Sequence, residues 1–189
     1  MNVTLIQRGE HLLRDGDQDA ARELEKVFRR ERIDVFTGTA LTGAGRDQDL
    51  KFVSFIHDAR MVRVAAEEIL FALGRVPNTA SLKLANAGVA TERGRIVTNA
   101  RMQTSAPHIY AAGDCTGPYE IVHIAIQQGE IAAHNVANPG QPREIDYRLL
   151  TSVVFTEPQI ATVGLTEKAA RAGFRTSSRG IRSTITASR

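Results

Sequence analysis

An apolar run that ends in Gly113-Asp114 and leads into a long helical pattern constrains the fold of this chain more than any other feature. Residues 108–112 read as a strand, and a helix is predicted over residues 121–137 because small and apolar side chains recur there at three-and-four spacing. The members of that set, whose small size predicts close packing, are Val122, Ala125, Ile126, Gly129, Ala132, Ala133 and Val136. A strand, a Gly-Asp turn and a helix in this order favour an α/β fold that binds ligands at the carboxyl edge of a sheet.

The chemistry of this turn suits a polar ligand. Gly113 lets a ligand approach the backbone closely, and the carboxylate of Asp114 can accept hydrogen bonds from sugar-alcohol hydroxyls. The helix that follows points its N-H groups and its positive dipole end at the same place, which favours an electron-rich oxygen or a phosphate. The alternative on this segment alone is a plain strand-turn-helix connection in which Asp114 caps the helix.

The start of the chain predicts one α/β crossover unit. Short apolar runs at residues 3–6 and 33–36 suit buried parallel strands, and a helix lies between them with Asp15 or Asp17 as its cap. From residue 38 to residue 64 short β segments alternate with turn residues, at 43–45, 46–49 and 57–60, which predicts a β-meander.

Later segments are shorter and more irregular. A further apolar run over residues 69–73 stops at 74–78, where glycine and proline interrupt regular structure. A short helix over 82–87 ending at Gly88, a strand at 96–97, and a β-rich segment over 151–155 and 160–163 are expected next. A last short helix should begin after its cap, Thr166.

Composition narrows the class of protein. With 42% apolar and 24% charged residues the chain is typical of globular proteins. No apolar run approaches the roughly 20 residues that span a bilayer, and no signal peptide is apparent, so we expect a cytoplasmic protein without a membrane partner. Cys115 is the one cysteine, which excludes an internal disulfide and, with five scattered histidines, speaks against a zinc site.

The end of the chain is basic, since no acid follows Glu167. A nucleic-acid-binding tail is one interpretation. No aromatic residues are interleaved with these arginines, so we favour a polar, mobile end over residues 177–189 and expect no nucleic-acid partner.

Three segments carry a resemblance to a known family. Residues 104–114 resemble the second FAD-binding motif of the pyridine nucleotide-disulfide oxidoreductases, and residues 71–78 resemble their crossover from the nicotinamide domain to the FAD domain, with Leu73 in place of the usual threonine. Residues 153–167 resemble the opening of their dimerisation domain. The third segment separates the disulfide-reductase branch, which includes mercuric reductase and dihydrolipoamide dehydrogenase, from other flavin reductases.

This resemblance implies an α/β fold with partial Rossmann-like nucleotide-binding domains, a parallel sheet plus a β-meander, followed by the start of an α+β interface domain. The implied domains are the C-terminal part of an NAD(P)-binding domain over 1–70, a second segment of the FAD-binding domain over 71–147, and the beginning of a dimerisation domain over 148–189. The implied flavin-site residues are Gly113, Asp114, Glu120, Ile121, Val122 and His123. The implied dinucleotide-site residues are Ala72, Leu73, Gly74 and Arg75, with Ala40 as a weaker candidate.

The end of the first strand bears on the choice of nicotinamide cofactor. An acid there would accept the ribose hydroxyls of NAD, whereas an arginine would suit the 2′-phosphate of NADP. Arg8 lies at this position, and Glu10 comes too late. We therefore expect FAD together with NADP rather than NAD; in the alternative, Arg8 only occupies a solvated loop.

The family's reaction runs from NAD(P)H through FAD to a disulfide or a metal-ion substrate, commonly in a homodimer. The 189 residues hold no match to either glycine-rich pyrophosphate turn, to the redox cysteine pair or to the family's C-terminal His-Glu pair. One cysteine cannot store two electrons as an intramolecular disulfide. We expect an internal stretch that is inactive alone and has no catalytic residue of its own; the alternatives are a silent FAD- or nucleotide-binding module and a truncated, non-functional reading frame.

Overall fold

The computed structural model describes residues 1–14, 16–117 and 119–173. Asp15, one of the two predicted helix caps, and the predicted mobile end over 177–189 lie outside the described residues. The chain forms two compact units. The first contains Met1–Ala72 and the described residues from Leu150 onward, and the second is Leu73–Leu149.

The first unit begins with the predicted crossover. Strand β1 (Val3–Ile6) pairs in parallel with strand β2 (Ile33–Phe36), and helix α1 (Gln18–Arg30) connects them. Parallel neighbours need such a connection because the chain must return to the same end of the sheet. The predicted strand bounds are confirmed at both ends.

Helix α1 buries the apolar side that its spacing predicts. Leu24 packs with Leu12 and Ile160 in a core that also receives Leu5 and Phe28. Full burial of one such side chain stabilises the fold by about 1.5–3 kcal/mol.

Asp17 holds the predicted N-cap position of α1, but its carboxylate does not cap the helix. Its Oδ1 accepts a hydrogen bond at 2.9 Å from the backbone N-H of Glu167, and this tertiary contact takes the place of the local one.

The predicted meander is a three-stranded antiparallel sheet of β3 (Ala40–Asp47), β4 (Leu50–His57) and β5 (Arg60–Ala66). The prediction of a break at 43–45 was wrong, and 46–47 also belong to strand β3, so the first turn is restricted to residues 48–49. Gly45 is needed inside the strand because the ring of Phe52, its cross-strand partner, occupies the space that a Cβ atom would fill.

The second unit contains few regular elements. The helix expected over 82–87 consists of two 3-10 turns, Ala80–Leu82 and Leu84–Ala87. The second ends at Gly88 as predicted, and Gly88 has a left-handed backbone conformation. Strands β6 (Thr91–Glu92) and β7 (Arg95–Ile96) form a small hairpin.

The prediction of a strand over residues 108–112 is wrong. The segment forms one isolated antiparallel bridge between Gln103 and Tyr110, reinforced by a hydrogen bond from the N-H of Ala111 to the carbonyl of Met102. A strand needs a neighbour that continues the ladder of N-H and C=O groups. Among the described residues, the 102–104 segment is the neighbour, and it pairs over a very short length.

Helix α2 (Val122–Ala137) forms as predicted, but a different face is buried. The buried residues are Ile124, Gln128, Ile131 and Asn135. Val122, Ile126 and Val136, which belong to the predicted packing set, are exposed. The segment 101–102 and the segment 143–147 pack on the other side of the helix, and they decide which face is covered.

The chain returns to the first unit through strands β8 (Thr151–Val154) and β9 (Ile160–Val163), which pair antiparallel, and helix α3 (Glu167–Gly173). The hydroxyl of Thr166 accepts the N-H of Ala169 at 3.2 Å, so the predicted cap of α3 is confirmed. Among the described residues, none of the helices is both long enough and apolar enough to cross a membrane.

Candidate functional site

The Gly-Asp turn of the second unit is closed by its own backbone. Gly113 has a φ of 84°, a conformation that favours glycine, and its carbonyl accepts both the N-H of Thr116 at 2.9 Å and the Thr116 hydroxyl at 2.8 Å. The N-H of Gly117 also donates to the carbonyl of Asp114 at 3.3 Å. The turn therefore presents the carboxylate of Asp114, 58% exposed, from a fixed backbone.

A four-residue charge cluster surrounds this turn and joins two segments that the sequence analysis singled out separately. Arg75 lies 3.6 Å from Asp114 Oδ2 and donates a hydrogen bond at 3.2 Å to the backbone carbonyl of Glu120. Arg95 pairs with Glu120 Oε1 at 2.8 Å. Two acids and two arginines balance each other, so an added neutral, hydroxyl-rich group would meet both donors and acceptors here.

Helix α2 begins next to this cluster. Ile121 is its N-cap and supplies no side-chain cap, and the first turn contains no acidic residue. Val122 is exposed, and so is His123, which has a further interaction of its own. Among the described residues, the N-cap Ile121 therefore gives the positive end of the helix dipole no side-chain hydrogen bond.

Gln128 and Tyr147, two polar residues that hydrogen bonds link to the turn, were missed by sequence reasoning. Gln128, fully buried in α2, accepts the N-H of Gly113 at 2.7 Å and donates to the hydroxyl of Tyr147 at the same distance. Gln128 lies on the same face of α2 as the buried Asn135, seven residues on, but Gln127 and His134 have the same spacing, so no signal in the sequence singled out Gln128.

A cleft of about 690 Å³ lies beside the turn, within the second unit. Its walls combine three arginines with apolar side chains and the backbone of the turn. These residues are Arg75, Arg93, Arg95, Val76, Ile145 and Gly117. Gly117, with a φ of 54°, is crossed by the side chain of Arg95, whose Cδ atom would lie 2.7 Å from an added Cβ. The volume is in the range of small-ligand sites.

The other predicted dinucleotide residues lie in an irregular stretch. Leu73 is exposed, and Gly74 has a φ of 115°, a conformation that favours glycine. Ala72, also exposed, ends the first unit, whereas Leu73 begins the second.

Arg8 and Ala40 lie in the first unit. Arg8 is exposed in the loop after β1, and Ala40 is exposed at the start of β3. The residues next to them in the chain are hydrogen-bonded to each other. The carbonyl of Gln7 accepts the N-H of Thr39 at 3.2 Å and the hydroxyl of Thr39 at 3.1 Å. Both candidates therefore flank the carboxyl edge of the parallel strand pair.

Cys115, beside Asp114, is half-buried and donates to the carbonyl of Ala112 at 3.3 Å. Burial raises the pKa of its thiol, which disfavours the reactive thiolate. Within the described part of the chain, no three or more His, Cys, Asp and Glu side chains form a group that could hold a metal ion.

The geometry can be compared with known proteins. The chain is 41% identical over 176 residues to a dihydrolipoyl dehydrogenase of Thermus scotoductus, covering 91% of this chain and 38% of that relative. It is 35% identical over 170 residues to a mercuric reductase of Staphylococcus aureus, covering 89% of this chain and 31% of the relative. The chain thus spans about a third of the length of the curated relatives it matches.

Two solved structures have a similar fold. The HOCl-induced flavoprotein disulfide reductase RclA from Escherichia coli, in its Cu(II) complex, superposes with a TM-score of 0.80 at 29% identity, covering 91% of this chain and 38% of that one. LpdA from Mycobacterium tuberculosis gives a TM-score of 0.78 at 31% identity, over 92% and 37% of the two chains. The fold of the chain is thus that of the matched part of the flavoprotein disulfide reductases. The chain belongs to the pyridine nucleotide-disulphide oxidoreductase family, whose sequence profile matches residues 1–129.

Proposed function

We propose that this chain forms the ribitol side of an FAD site in an oxidoreductase that passes electrons from NAD(P)H to a disulfide or a metal-ion substrate. When bound, FAD would accept the hydride and hand on its electrons. The turn at Gly113 and Asp114 carries the proposal, because it presents an exposed carboxylate from a closed backbone beside the start of a helix.

The residues around the turn fit a flavin. Asp114 would accept hydrogen bonds from ribitol hydroxyls, as ionised carboxylates do strongly. Arg75 would orient that carboxylate, since its guanidinium also donates to the carbonyl of Glu120. The segment from Ile121 to His123 would present helix N-H groups to an electron-rich oxygen of the isoalloxazine ring.

The test is a titration of the chain with FAD, followed by flavin fluorescence, on wild type, Asp114→Ala and Asp146→Ala. Asp146 is a matched control because it is an exposed aspartate of the same unit that pairs with an arginine. Loss of a charged hydrogen bond of about 1.5–3 kcal/mol predicts an affinity roughly ten- to hundredfold lower for Asp114→Ala. An absence of flavin binding, or equal effects of the two substitutions, would contradict the proposal.

We infer a preference for NADPH over NADH. Arg8 is exposed at the carboxyl edge of the parallel pair, and a guanidinium suits a 2′-phosphate. Ala40, which is exposed at the start of β3 in the same unit, would lie on the same side of the dinucleotide. Arg8→Ala should weaken NADPH more than NADH in a fluorescence titration, whereas Arg22→Ala, an exposed arginine of α1, should change neither. Equal effects on both nucleotides would overturn this preference.

The proposed domain assignment follows the order of segments. Residues 1–70 would belong to the NAD(P)-binding domain, 71–147 to the FAD-binding domain, and 148–189 to the beginning of a dimerisation domain.

We also propose that the whole protein is a cytoplasmic homodimer. Sedimentation of the protein at the full length of its relatives, and fractionation of the cells that produce it, would test these two statements.

The 189-residue chain by itself should bind flavin without turnover. Its single cysteine, Cys115, cannot form the intramolecular disulfide that a dithiol cycle needs. Purified chain mixed with FAD, NADPH and a disulfide substrate should show no enzymatic rate, even where flavin is bound. A turnover typical of enzymes would contradict this statement without affecting the assignment of the turn.

A further inference from the structure

We propose that Gln128 is a positioning residue of the flavin turn, which holds Gly113 in place from inside helix α2. The proposal rests on the proposed function, since it concerns the same turn. It adds a residue that lies two turns inside the helix and is fully buried, with 1% of its surface exposed.

The hydrogen bonds of Gln128 determine the orientation of its amide. The N-H of Gly113 can only donate, so the atom 2.7 Å away must be the amide oxygen. The amide nitrogen then donates to the hydroxyl of Tyr147 at 2.7 Å. The hydroxyl of Thr116 lies 3.5 Å from the same amide oxygen, so both ends of the turn face this one acceptor.

This arrangement couples the turn to a rigid element. Gly113 has a backbone conformation that few other residues adopt, and its N-H is satisfied by a side chain of α2 rather than by a strand partner. Functional groups are held most accurately when regular elements support them. Without Gln128 the N-H of Gly113 would lose its acceptor, and the direction in which Asp114 points would be less defined.

Tyr147 extends the network to the other side of the site. Its ring packs against Tyr119 with centroids 4.8 Å apart and an interplanar angle of 54°. Tyr119 immediately precedes Glu120, the partner of Arg75 and Arg95. Gln128 is thus linked to the turn directly and to the charge cluster through two aromatic rings.

The test compares Gln128→Leu, Gln128→Glu and the matched control Gln127→Leu, whose parent residue is an exposed glutamine of the same helix. Hydrogen exchange of the Gly113 amide, followed by NMR in the flavin-free chain, should be at least about tenfold faster in Gln128→Leu and unchanged in the control. FAD affinity should fall by about tenfold in Gln128→Leu. Gln128→Glu, which keeps an acceptor, should restore both to within about threefold.

The outcomes separate this proposal from the one on which it rests. Unchanged protection of Gly113 in Gln128→Leu overturns the role of Gln128, whatever the flavin does. Lost protection with unchanged FAD affinity also overturns it. Exchange at Ile131 in the same spectra reports whether α2 remains folded, and Tyr147→Phe provides a second variant that removes only the hydroxyl. If wild-type chain binds no flavin, the proposed function fails and takes the flavin role of Gln128 with it, while the exchange data still decide what holds the turn.

Discussion

Arg75 donates a hydrogen bond from Nη1 to the backbone carbonyl of Glu120 at 3.2 Å and lies 3.6 Å from the carboxylate of Asp114. A residue of the 71–78 segment is thereby joined to the residues that flank the Gly-Asp turn. Because Arg75 and Asp114 are both more than half exposed, their ion pair contributes little to the free energy of unfolding. We expect the pair to affect the direction in which the carboxylate of Asp114 points instead.

Arg75→Ala should therefore weaken FAD binding while lowering the free energy of unfolding by less than about 1 kcal/mol. Arg75→Lys keeps the charge but not the planar fork, so we expect an intermediate affinity. Arg101→Ala is the control, since Arg101 is an exposed arginine of the same unit that pairs with Glu144 outside the cleft, and it should change neither quantity. Flavin fluorescence and urea denaturation measure the two quantities, and a large loss of stability in Arg75→Ala would contradict the assignment.

Gly117→Ala should destabilise the second unit by about 1–2 kcal/mol, because its φ of 54° is costly for alanine and the added Cβ meets the Arg95 side chain. The displaced Arg95 would also lose its pairing with Glu120. Gly129→Ala is the contrasting variant: it lies within α2 with nothing near its Cβ position, and helix propensity predicts a gain of about 0.5–1 kcal/mol. The melting temperatures of the two variants should shift in opposite directions from that of wild type. A shift in the same direction would contradict the roles assigned to the two glycines.

Glu25 is a buried acid that accepts the backbone N-H of Leu12 at 3.0 Å. Glu25→Ala leaves that N-H without its acceptor, and the expected loss is about 1–3 kcal/mol in the free energy of unfolding. Glu25→Gln retains an amide oxygen and should lose less. Glu23→Ala, whose side chain pairs with Lys26 on the surface, should stay within about 0.5 kcal/mol of wild type. Denaturant titration measures the free energy of unfolding of each variant. Similar losses in Glu25→Ala and Glu23→Ala would show that the buried hydrogen bond to Leu12 does not stabilise the fold.

Hydrogen bonds from Arg148 lower the pKa of Asp146 from its ordinary value of 3.8 to about 2. Since the folded-state pKa is the lower one, the stabilisation from this pair is fully present above pH 3.8 and is lost as the pH falls through about 2. An NMR titration of the Asp146 carboxyl carbon should show this value in wild type and a return towards 3.8 in Arg148→Ala. An unchanged titration in that variant would show that Arg148 is not the cause.

Local pattern alone predicted a good part of this molecule. Residues 3–6 and 33–36 are strands, as short apolar runs bounded by polar loops predict, and no distant contact is needed to recognise them. The end of the 3-10 turn at Gly88 and the cap at Thr166 were equally local. The Gly-Asp turn was recognisable because it needs particular residue types at adjacent positions.

Tertiary contacts decided the rest. The set containing Val122, Ile126 and Val136 has the helical spacing of a buried face, yet packing of the 101–102 and 143–147 segments covers the opposite side of α2. The expected strand over 108–112 is reduced to one bridge, since a ladder depends on a partner that local sequence cannot supply.

The chain's amino-acid sequence by itself determined the family, the crossover unit and the turn that holds Asp114, because each depends on neighbouring residues and on short-range backbone preferences. Only the tertiary structure showed that Gln128 accepts the N-H of Gly113 and that Arg75 meets Glu120. The physical reason is that burial and side-chain hydrogen bonding depend on which distant segments pack together, and spacing along one helix does not specify the neighbour on each of its faces.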